Sequence, residues 1–384
     1  MYLLQVTFLV FVACIVFLYA IQIIQYAIGW MNVTAIIPRS PTHKIAVIIA
    51  VRNEEAMIEN CLKALLDQNY PSQLFDVILV DDFSEDGTVD CVKRISKTHS
   101  NVFILKLDVA DGTGKKAAIR KGILYTDATI IVTTDADCWM EKDWLTTIAA
   151  GFENDSTKMV VAPVAFCNEK NVFEKMQSLE FMALIASTAG AIFYKKPIMC
   201  NGANLAYLRT SFFEVNGFDG VNHISTGDDV LLMYKLSKIY PNGIRFLKDS
   251  KAIVYTHPKN NLMGFINQRK RWASKPFSLL NRATKYTSVL VFLTNLSSIM
   301  LIISLFCLGK IDISHGFALI CLILLGIKCI IDFLLLFLAS SFFGKRSLLI
   351  YFLPEQIIYM FYVVFIGLLS TTKSFSWKGR ELKN

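Results

Sequence analysis

Two aspartates separated by one residue, Asp135 and Asp137, close the apolar run Ala128–Thr134. A β-strand presents residues i and i+2 on one face, so both carboxylates are expected to leave the strand end together. Hard oxygen ligands placed in that way suit a divalent cation, Mg2+ or Mn2+, that bridges phosphate oxygens. The same spacing also occurs in solvated strand-end turns, so the pair alone does not assign a metal. Other polar residues stand where apolar runs stop: Asn53 and Glu54, then Asp81 and Asp82. Gly227, Asp228 and Asp229 by themselves read as a helix N-terminus, where acids favour the dipole. Gln268, Arg271 and Trp272 lie at i, i+3 and i+4 and would share one face of a helix.

The elements that must hold these residues follow from periodicity. Lys44–Val51 is an unbroken, largely β-branched run, which predicts a parallel strand buried on both faces. Asn53 is expected to cap a helix reaching about Gln68. Strands are predicted at Phe75–Val80, Val102–Leu107 and Ala128–Thr134, and helices at Thr88–His99 and Lys115–Tyr125. Alternation at this spacing predicts an α/β fold with a mostly parallel, doubly wound sheet. Ligands collect beyond the carboxyl ends of such strands, so Asn53, Glu54, Asp81, Asp82, Asp135 and Asp137 should converge on one edge. Gly112–Ala117 fits G-x-G-x-x-A, but it follows the third strand instead of the first and lacks P-loop spacing, which excludes both dinucleotide and P-loop readings.

The chain has 384 residues, of which 54% are hydrophobic, and the excess lies at its ends. No charged residue occurs before Arg39, and Leu3–Ile28 is long enough to cross ~30 Å of hydrocarbon as a helix. It is expected as a span and not as a cleaved signal peptide, because no basic segment precedes it and no small-residue cleavage site follows. Further apolar runs at Val289–Leu308, Ile313–Ala339 and Leu348–Leu369 bring the expected spans to about four. The resulting organisation is a membrane helix at 1–30, an α/β domain at 39–255, a basic interfacial segment at 256–286, a membrane region at 287–370 and a basic tail at 371–384. Nine cysteines without a C-x-x-C pair indicate neither a zinc site nor a disulfide framework. Lys328 and Asp332, at i and i+4 inside an apolar run, are expected as a structural ion pair. The net charge is +8, and eight basic residues with no acidic one lie between Lys251 and Lys285, next to a predicted span. That pattern suits anionic headgroups or an anionic substrate, and not a nucleic acid.

Seven segments together resemble the family 2 glycosyltransferases, membrane enzymes whose catalytic domain is of the GT-A type. They are AVRNEE (50–55), VDDFSEDGT (80–88), GKKAAIRKG (114–122), TDADC (134–138), CNGANLAY (200–207), TGDDVLL (226–232) and QRKRW (268–272), in the family's order. The resemblance implies an inverting transfer of a sugar from a nucleotide-diphosphate donor, with UDP the expected nucleotide. It places Asp137 with Asp135 at the metal and ribose, Glu54 with Asp81 or Asp82 at the nucleobase, and Lys115 near the nucleotide. Asp229 matches the family's general base, while Asp228 replaces the usual Glu and is one methylene shorter. Gly202 and Asn204 match a segment near the donor sugar or acceptor. Gln268, Arg271 and Trp272 match the motif in which Arg forks onto the diphosphate and the indole packs against a sugar. The bland alternative is an interfacial anchor, and for Arg269 and Lys270 that reading is preferred.

The QRKRW motif occurs both in polysaccharide synthases and in enzymes that glycosylate lipids such as ceramide. Few spans are left to shield a polymer channel from lipid, which favours a membrane lipid acceptor over a growing glycan. The tail Trp377, Lys378, Gly379 and Arg380 also looks like that of ceramide-glucosyltransferase-like members. A non-catalytic nucleotide-sugar-binding scaffold would not need Asp229. The protein is expected to be multi-pass in the cell membrane, with its catalytic domain cytoplasmic. Three C-terminal spans conflict with a basic cytoplasmic tail, so one run is expected to be re-entrant or interfacial, with Val289–Leu308 the candidate.

Overall fold

The computed structural model describes residues 2–36, 42–222, 224, 226–306, 315–369, 374–377 and 380–383. Expectations resting on Arg39, Lys373 and Lys378, and on the link 307–314 between two apolar runs, lie outside them. The chain forms two compact units. A helical unit comprises 1–32, 170–191 and 259–373, and a sheet unit comprises 33–169, 192–258 and 374–384.

After α1 (Tyr2–Asn32), the chain enters the sheet unit through β1 (Ile45–Val51), α2 (Ile58–Leu66), β2 (Phe75–Asp81), α3 (Thr88–Ser96), β3 (Val102–Lys106), α4 (Lys115–Tyr125) and β4 (Ile130–Thr133). Next come β5 (Trp139–Met140), α5 (Trp144–Ala150), β6 (Met159–Val161) and β7 (Val164–Phe166), followed by α6 (Val172–Phe193). The sheet unit resumes with β8 (Leu205–Leu208), α7 (Arg209–Glu214), α8 (Asp228–Ile239), β9 (Ile244–Phe246) and β10 (Val254–Thr256). Helices α9 (Leu262–Ala273), α10 (Arg282–Phe306), α11 (His315–Phe342) and α12 (Phe352–Leu369) complete the helical unit, and a hairpin of β11 (Ser374–Trp377) and β12 (Arg380–Lys383) follows.

Seven strands form one sheet in the order β3-β2-β1-β4-β8-β6-β9. β8 alone runs antiparallel to its neighbours, so the sheet is mostly parallel, as the alternating pattern predicts. The crossing strands are apolar on both faces because helices cover them, and Ile45, Val47, Ile48 and Ile49 are all fully buried. Val51 pairs with Asp81, so β1 and β2 end level and their following loops lie side by side. β5, β10 and β7 make a second, three-stranded sheet.

Two local expectations need correction. Asn53 does not cap a helix: its φ is +52°, and α2 starts only at Ile58, after a turn in which the Glu54 carbonyl accepts from Met57 and Ile58 at 3.0 and 2.9 Å. β4 ends at Thr133, so Asp135 and Asp137 stand on the turn after the strand and not on its pleat. The alternation persists nonetheless, because Ala136 and Cys138 are buried while the two aspartates face outward.

The described residues contain five helices long and apolar enough to cross a membrane: α1, α6, α10, α11 and the segment Arg346–Leu369 containing α12. α6 is the one the sequence reading missed. It interrupts the stretch 39–255 that was expected to be one domain, and its most apolar window is 72% buried. Glu174, Lys175, Gln177 and Glu180 break up its apolar run, and three of them are buried against protein partners instead of facing solvent. α10 is an unbroken helix of 25 residues. Its Thr294 and Ser298 hydroxyls donate to carbonyls four residues back at 2.8 Å, which satisfies them without a re-entrant turn.

Within the helical unit, Leu9, Val12 and Val16 of α1 pack against Leu301 of α10 and Phe317, Cys321 and Leu324 of α11. Gly29 and Gly190 let α1 and α6 cross closely: a Cβ on Gly190 would lie 2.3 Å from the Tyr26 carbonyl oxygen. Lys328 and Asp332 form the expected ion pair at 2.9 Å. Tyr19 donates to Asp332 at 2.6 Å and Lys328 to Gln356 at 2.5 Å, so three helices share one buried polar knot.

Candidate active site

The loops after β1 and β2 are laced together. Arg52 Nη1 donates to the Asp82 and Phe83 carbonyls, each at 2.7 Å. The Asn53 backbone N–H donates to Ser84 Oγ at 3.1 Å, its side-chain oxygen accepts from the Glu85 N–H at 2.9 Å, and Glu55 accepts from the Gly87 N–H at 3.0 Å. Glu54 N–H donates to Thr88 Oγ1 at 2.7 Å. The Asp81 carboxylate, 4% exposed, accepts from the Ser84 N–H at 3.1 Å. Glu54, Asp81 and Asp82 therefore share one edge, as expected. Of the lacing residues, Arg52, Glu55 and Thr88 were not given roles by the sequence, and Asn53 was expected at this edge as a helix cap. Their signal is the pairing of two polar loops at level strand ends.

A second cluster gathers Lys115, Asp135, Gly202, Asp228 and Asp229. Lys115 Nζ donates to Asp135 Oδ1 at 2.6 Å. The Gly202 N–H donates to Asp229 Oδ2 at 2.9 Å, and Thr133 Oγ1 holds the Gly202 carbonyl at 2.8 Å. A Cβ on Gly202 would sit 3.2 Å from Lys115 Nζ and 3.5 Å from both Asp228 Oδ2 and Asp229 Cβ, so Lys115, Asp228 and Asp229 close around one backbone position that glycine keeps uncrowded. Asp228 and Asp229 open α8, and Gly227 reaches that helix through a left-handed φ of +74°.

Charge is unevenly compensated here. Burial raises the Asp228 carboxyl above its usual range; Lys115 and Lys116 oppose the shift, while Asp229 and Asp135 add to it. Burial also works against the Lys115 charge, but Asp135, Asp228 and Asp229 outweigh it and hold the ammonium above its usual value. The cation is thus well served by the cluster, while the third carboxylate is not. Burial, reinforced by Asp137 and Asp135, pushes up the thiols of Cys61 and Cys138, so these cysteines are inert neighbours.

Lys116, which the sequence reading passed over, is 9% exposed. It donates to the carbonyls of Val221, Ile224 and Thr226 at 3.1, 2.5 and 3.2 Å. Those bonds brace the loop that delivers Asp228 and Asp229.

Asn204 requires a correction. Expected near donor or acceptor, it is fully buried, with its amide donating to Pro163 and Ala252 carbonyls at 2.7 Å and accepting from Trp144 Nε1 at 3.1 Å. It braces the end of β8 and has no side-chain donor left for a ligand.

Asp135 and Asp137 offer half-exposed hard oxygens suited to Mg2+ or Mn2+. Among the described residues no three His, Cys, Asp or Glu side chains gather as a complete protein ligand set. Two carboxylates fit an ion that takes its other ligands from phosphate and water.

Gln268, Arg271 and Trp272 all lie on α9, in the helical unit. Trp272 stacks on Phe181 with ring centroids 5.7 Å apart, and the Arg269 guanidinium lies 4.4 Å from the indole. Gln268 accepts from Arg269 at 2.6 Å. Arg269 is not a headgroup anchor: it is 4% exposed and forks onto Glu180 of α6. Its position inside a basic run concealed a partner 89 residues away.

Residues 46–216 match the family model Glycosyl transferase family 2. That segment is a glycosyltransferase family 2 domain. Glycosyltransferase AglE of Haloferax volcanii is 29% identical over 188 residues, 48% of this chain and 59% of that protein. The beta-monoglucosyldiacylglycerol synthase of a Nostoc species is 26% identical over 140 residues, 36% of this chain and 30% of that protein. The poly-beta-1,6-N-acetyl-D-glucosamine synthase of Staphylococcus aureus is 23% identical over 245 residues, 62% of this chain and 56% of that protein. The chain thus spans less than two thirds of each of these relatives. A mannosyltransferase, PcManGT from Pyrobaculum calidifontis, solved in complex with GDP-Man and Mn2+, has the same fold, with a TM-score of 0.61 and 16% identity over 96% of this chain and 99% of that one. The family 2 domain therefore has the GT-A architecture, with long apolar helices toward both ends of the chain.

Proposed function

We propose that this chain is a membrane-bound, inverting glycosyltransferase that moves a sugar from a nucleotide-diphosphate donor, with UDP the expected nucleotide, to a membrane lipid. The reading is carried by the convergence of Lys115, Asp135, Gly202, Asp228 and Asp229 around one open backbone position. Glu54 with Asp81 or Asp82 would receive the nucleobase, Asp135 with Asp137 the ribose, and Lys115 would lie near the nucleotide. Asp137 and Asp135 would hold a divalent cation, which supplies charge neutralisation to the departing diphosphate. Asp229 would take the proton of the acceptor hydroxyl as its oxygen bonds to the anomeric carbon and the bond from that carbon to the diphosphate oxygen breaks. The Gly202 N–H bond holds one Asp229 oxygen, so the carboxylate is oriented before substrate arrives. The catalytic domain would face the cytoplasm, where nucleotide sugars are made.

A lipid acceptor is supported by the buried polar groups of the helical unit. Lys328, Asp332, Tyr19 and Gln356 bond one another, as do Glu180, Arg269 and Tyr362, instead of lining a hydrated path for a polymer. The test is turnover of labelled UDP-sugar by the purified full chain in lipid vesicles. Label extractable into organic solvent supports the reading; label chiefly in long, water-soluble polymer replaces it with a polysaccharide synthase; donor binding without hydrolysis or transfer replaces it with a scaffold.

A further inference from the structure

α6, α9 and α12 enclose a half-open groove of about 570 Å³. That lies within the ~300–1,000 Å³ of small-ligand sites. Ten residues of helix, a cylinder ~10 Å across and ~15 Å long, would need about twice that volume. The groove therefore suits a chain and not a partner helix. Its walls are apolar: Phe173 and Met176 from α6, Phe265 and Ile266 from α9, Ile358 and Phe365 from α12. Two of the three helices are long and apolar enough to cross a membrane, so lipid is the nearest source of an occupant.

The polar groups in the lining restrict the headgroup. Glu180 is already neutralised: Arg269 Nε donates to both its oxygens at 3.1 Å, Nη2 donates at 2.5 Å, and the Tyr362 hydroxyl also donates to it. Glu355 lines the groove too, 5% exposed, with Gln356 Nε2 donating at 3.3 Å. No lysine or arginine belongs to the lining. A lipid phosphate would find no lysine or arginine in the lining to pair with and would meet the Glu355 carboxyl, whereas a hydroxyl would donate to that group. The same α9 carries Phe265 and Ile266 on the groove and Gln268, Arg271 and Trp272 within the next two turns, with Arg269 stacked between Phe265 and Trp272 at 4.5 and 4.4 Å.

We infer that this groove binds the hydrocarbon chain of an uncharged, hydroxyl-bearing lipid of the diacylglycerol type and discriminates against lipid phosphates. The inference rests on the lipid-acceptor reading above for its link to catalysis, but not for binding. The experiment uses the full chain in phosphatidylcholine nanodiscs and a diacylglycerol with a photoreactive diazirine in one acyl chain. Cross-links should map to α6, α9 and α12, and excess dioleoylglycerol should suppress them while polyprenyl phosphate does not. Ile358→Trp and Met176→Trp should each cut labelling about tenfold, since excluding as few as ~2 methylenes costs that much. Ile358 is 55% exposed, so the larger ring leaves the fold intact. Glu355→Gln should admit polyprenyl phosphate as a competitor. Equal labelling of wild type and both filled variants, or equal competition by polyprenyl phosphate in the wild type, overturns the inference. Transfer assays with UDP-sugar and diacylglycerol vesicles separate the two readings. Glycolipid formation with an unchanged lipid KM in Ile358→Trp defeats the groove alone. The expected labelling without any glycolipid defeats the proposed function alone.

Discussion

Two ion pairs, one in each unit, are built from the same chemistry and left in opposite states. Lys115 and Asp135 meet at 2.6 Å with side chains 24% and 41% exposed, and Asp228 and Asp229 crowd the same cation. Arg269 and Glu180 meet at 2.5 Å with side chains only 4% and 7% exposed, and Tyr362 and Gln268 complete the set. The first cluster keeps a surplus of carboxylate on partly exposed side chains, which under the proposed function a divalent cation would offset. The second is neutral and closed, and it pins α9 to α6. An ion pair signals function by what it leaves uncompensated and accessible, not by its presence.

The largest effect that would sharpen this contrast is at Asp229. Asp229→Asn should lower sugar transfer by ~10²- to 10⁴-fold while UDP still binds, measured by turnover and equilibrium binding on one preparation. Collapse of UDP binding with normal turnover per bound donor would move Asp229 out of the base role. In the closed pair, Glu180→Ala should cost about 3–5 kcal/mol by stranding the Arg269 charge, whereas Glu180→Gln with Arg269→Met should recover most of that. Thermal unfolding in nanodiscs reads both, and donor hydrolysis per folded molecule should be unchanged in the double variant. If the double variant folds well but no longer hydrolyses donor, the pair belongs to the machinery and the contrast fails.

A smaller effect is expected at the carboxylate that faces outward beside Asp135. Asp137→Ala should raise the Mn2+ concentration for half-maximal turnover by about tenfold or more, because a divalent ion held by few protein ligands depends on each. Full activity of this variant in excess chelator would remove the metal from the proposal.

Sequence legibility followed the range of the interactions. Unbroken runs such as Ile45–Val51 announced a covered parallel sheet, and level strand ends brought Glu54, Asp81 and Asp82 together without further information. Asn204 misled because a motif position says which residue is present, not whether its amide is already engaged by Trp144, Pro163 and Ala252. Arg269 misled for the complementary reason: a basic run next to a predicted span reads as surface until its distant partner is known. α6 was hidden because its polar residues broke the apolar run, and their partners, such as Lys259 for Gln177, lie 82 residues away. Lys116 carried no pattern beyond a doubled lysine, since its role depends on three carbonyls of a loop more than 100 residues later.

The smallest effect tests whether the open cluster is strained. Burial raises the Asp228 carboxyl, so between the usual Asp range near ~4 and its raised folded value the native state binds more protons than the unfolded chain. Stability must therefore fall as pH rises through that window and stay reduced above it. Asp228→Asn removes the titration. In metal-free buffer its melting temperature should match the wild type below pH ~4 and exceed it at neutral pH by about 2 °C or less, given partial solvent access. A melting temperature of Asp228→Asn below the wild type at neutral pH would mean that Asp228 is stabilised by Lys115 and Lys116 more than it is penalised by burial, and the cluster would then be as satisfied as the closed pair.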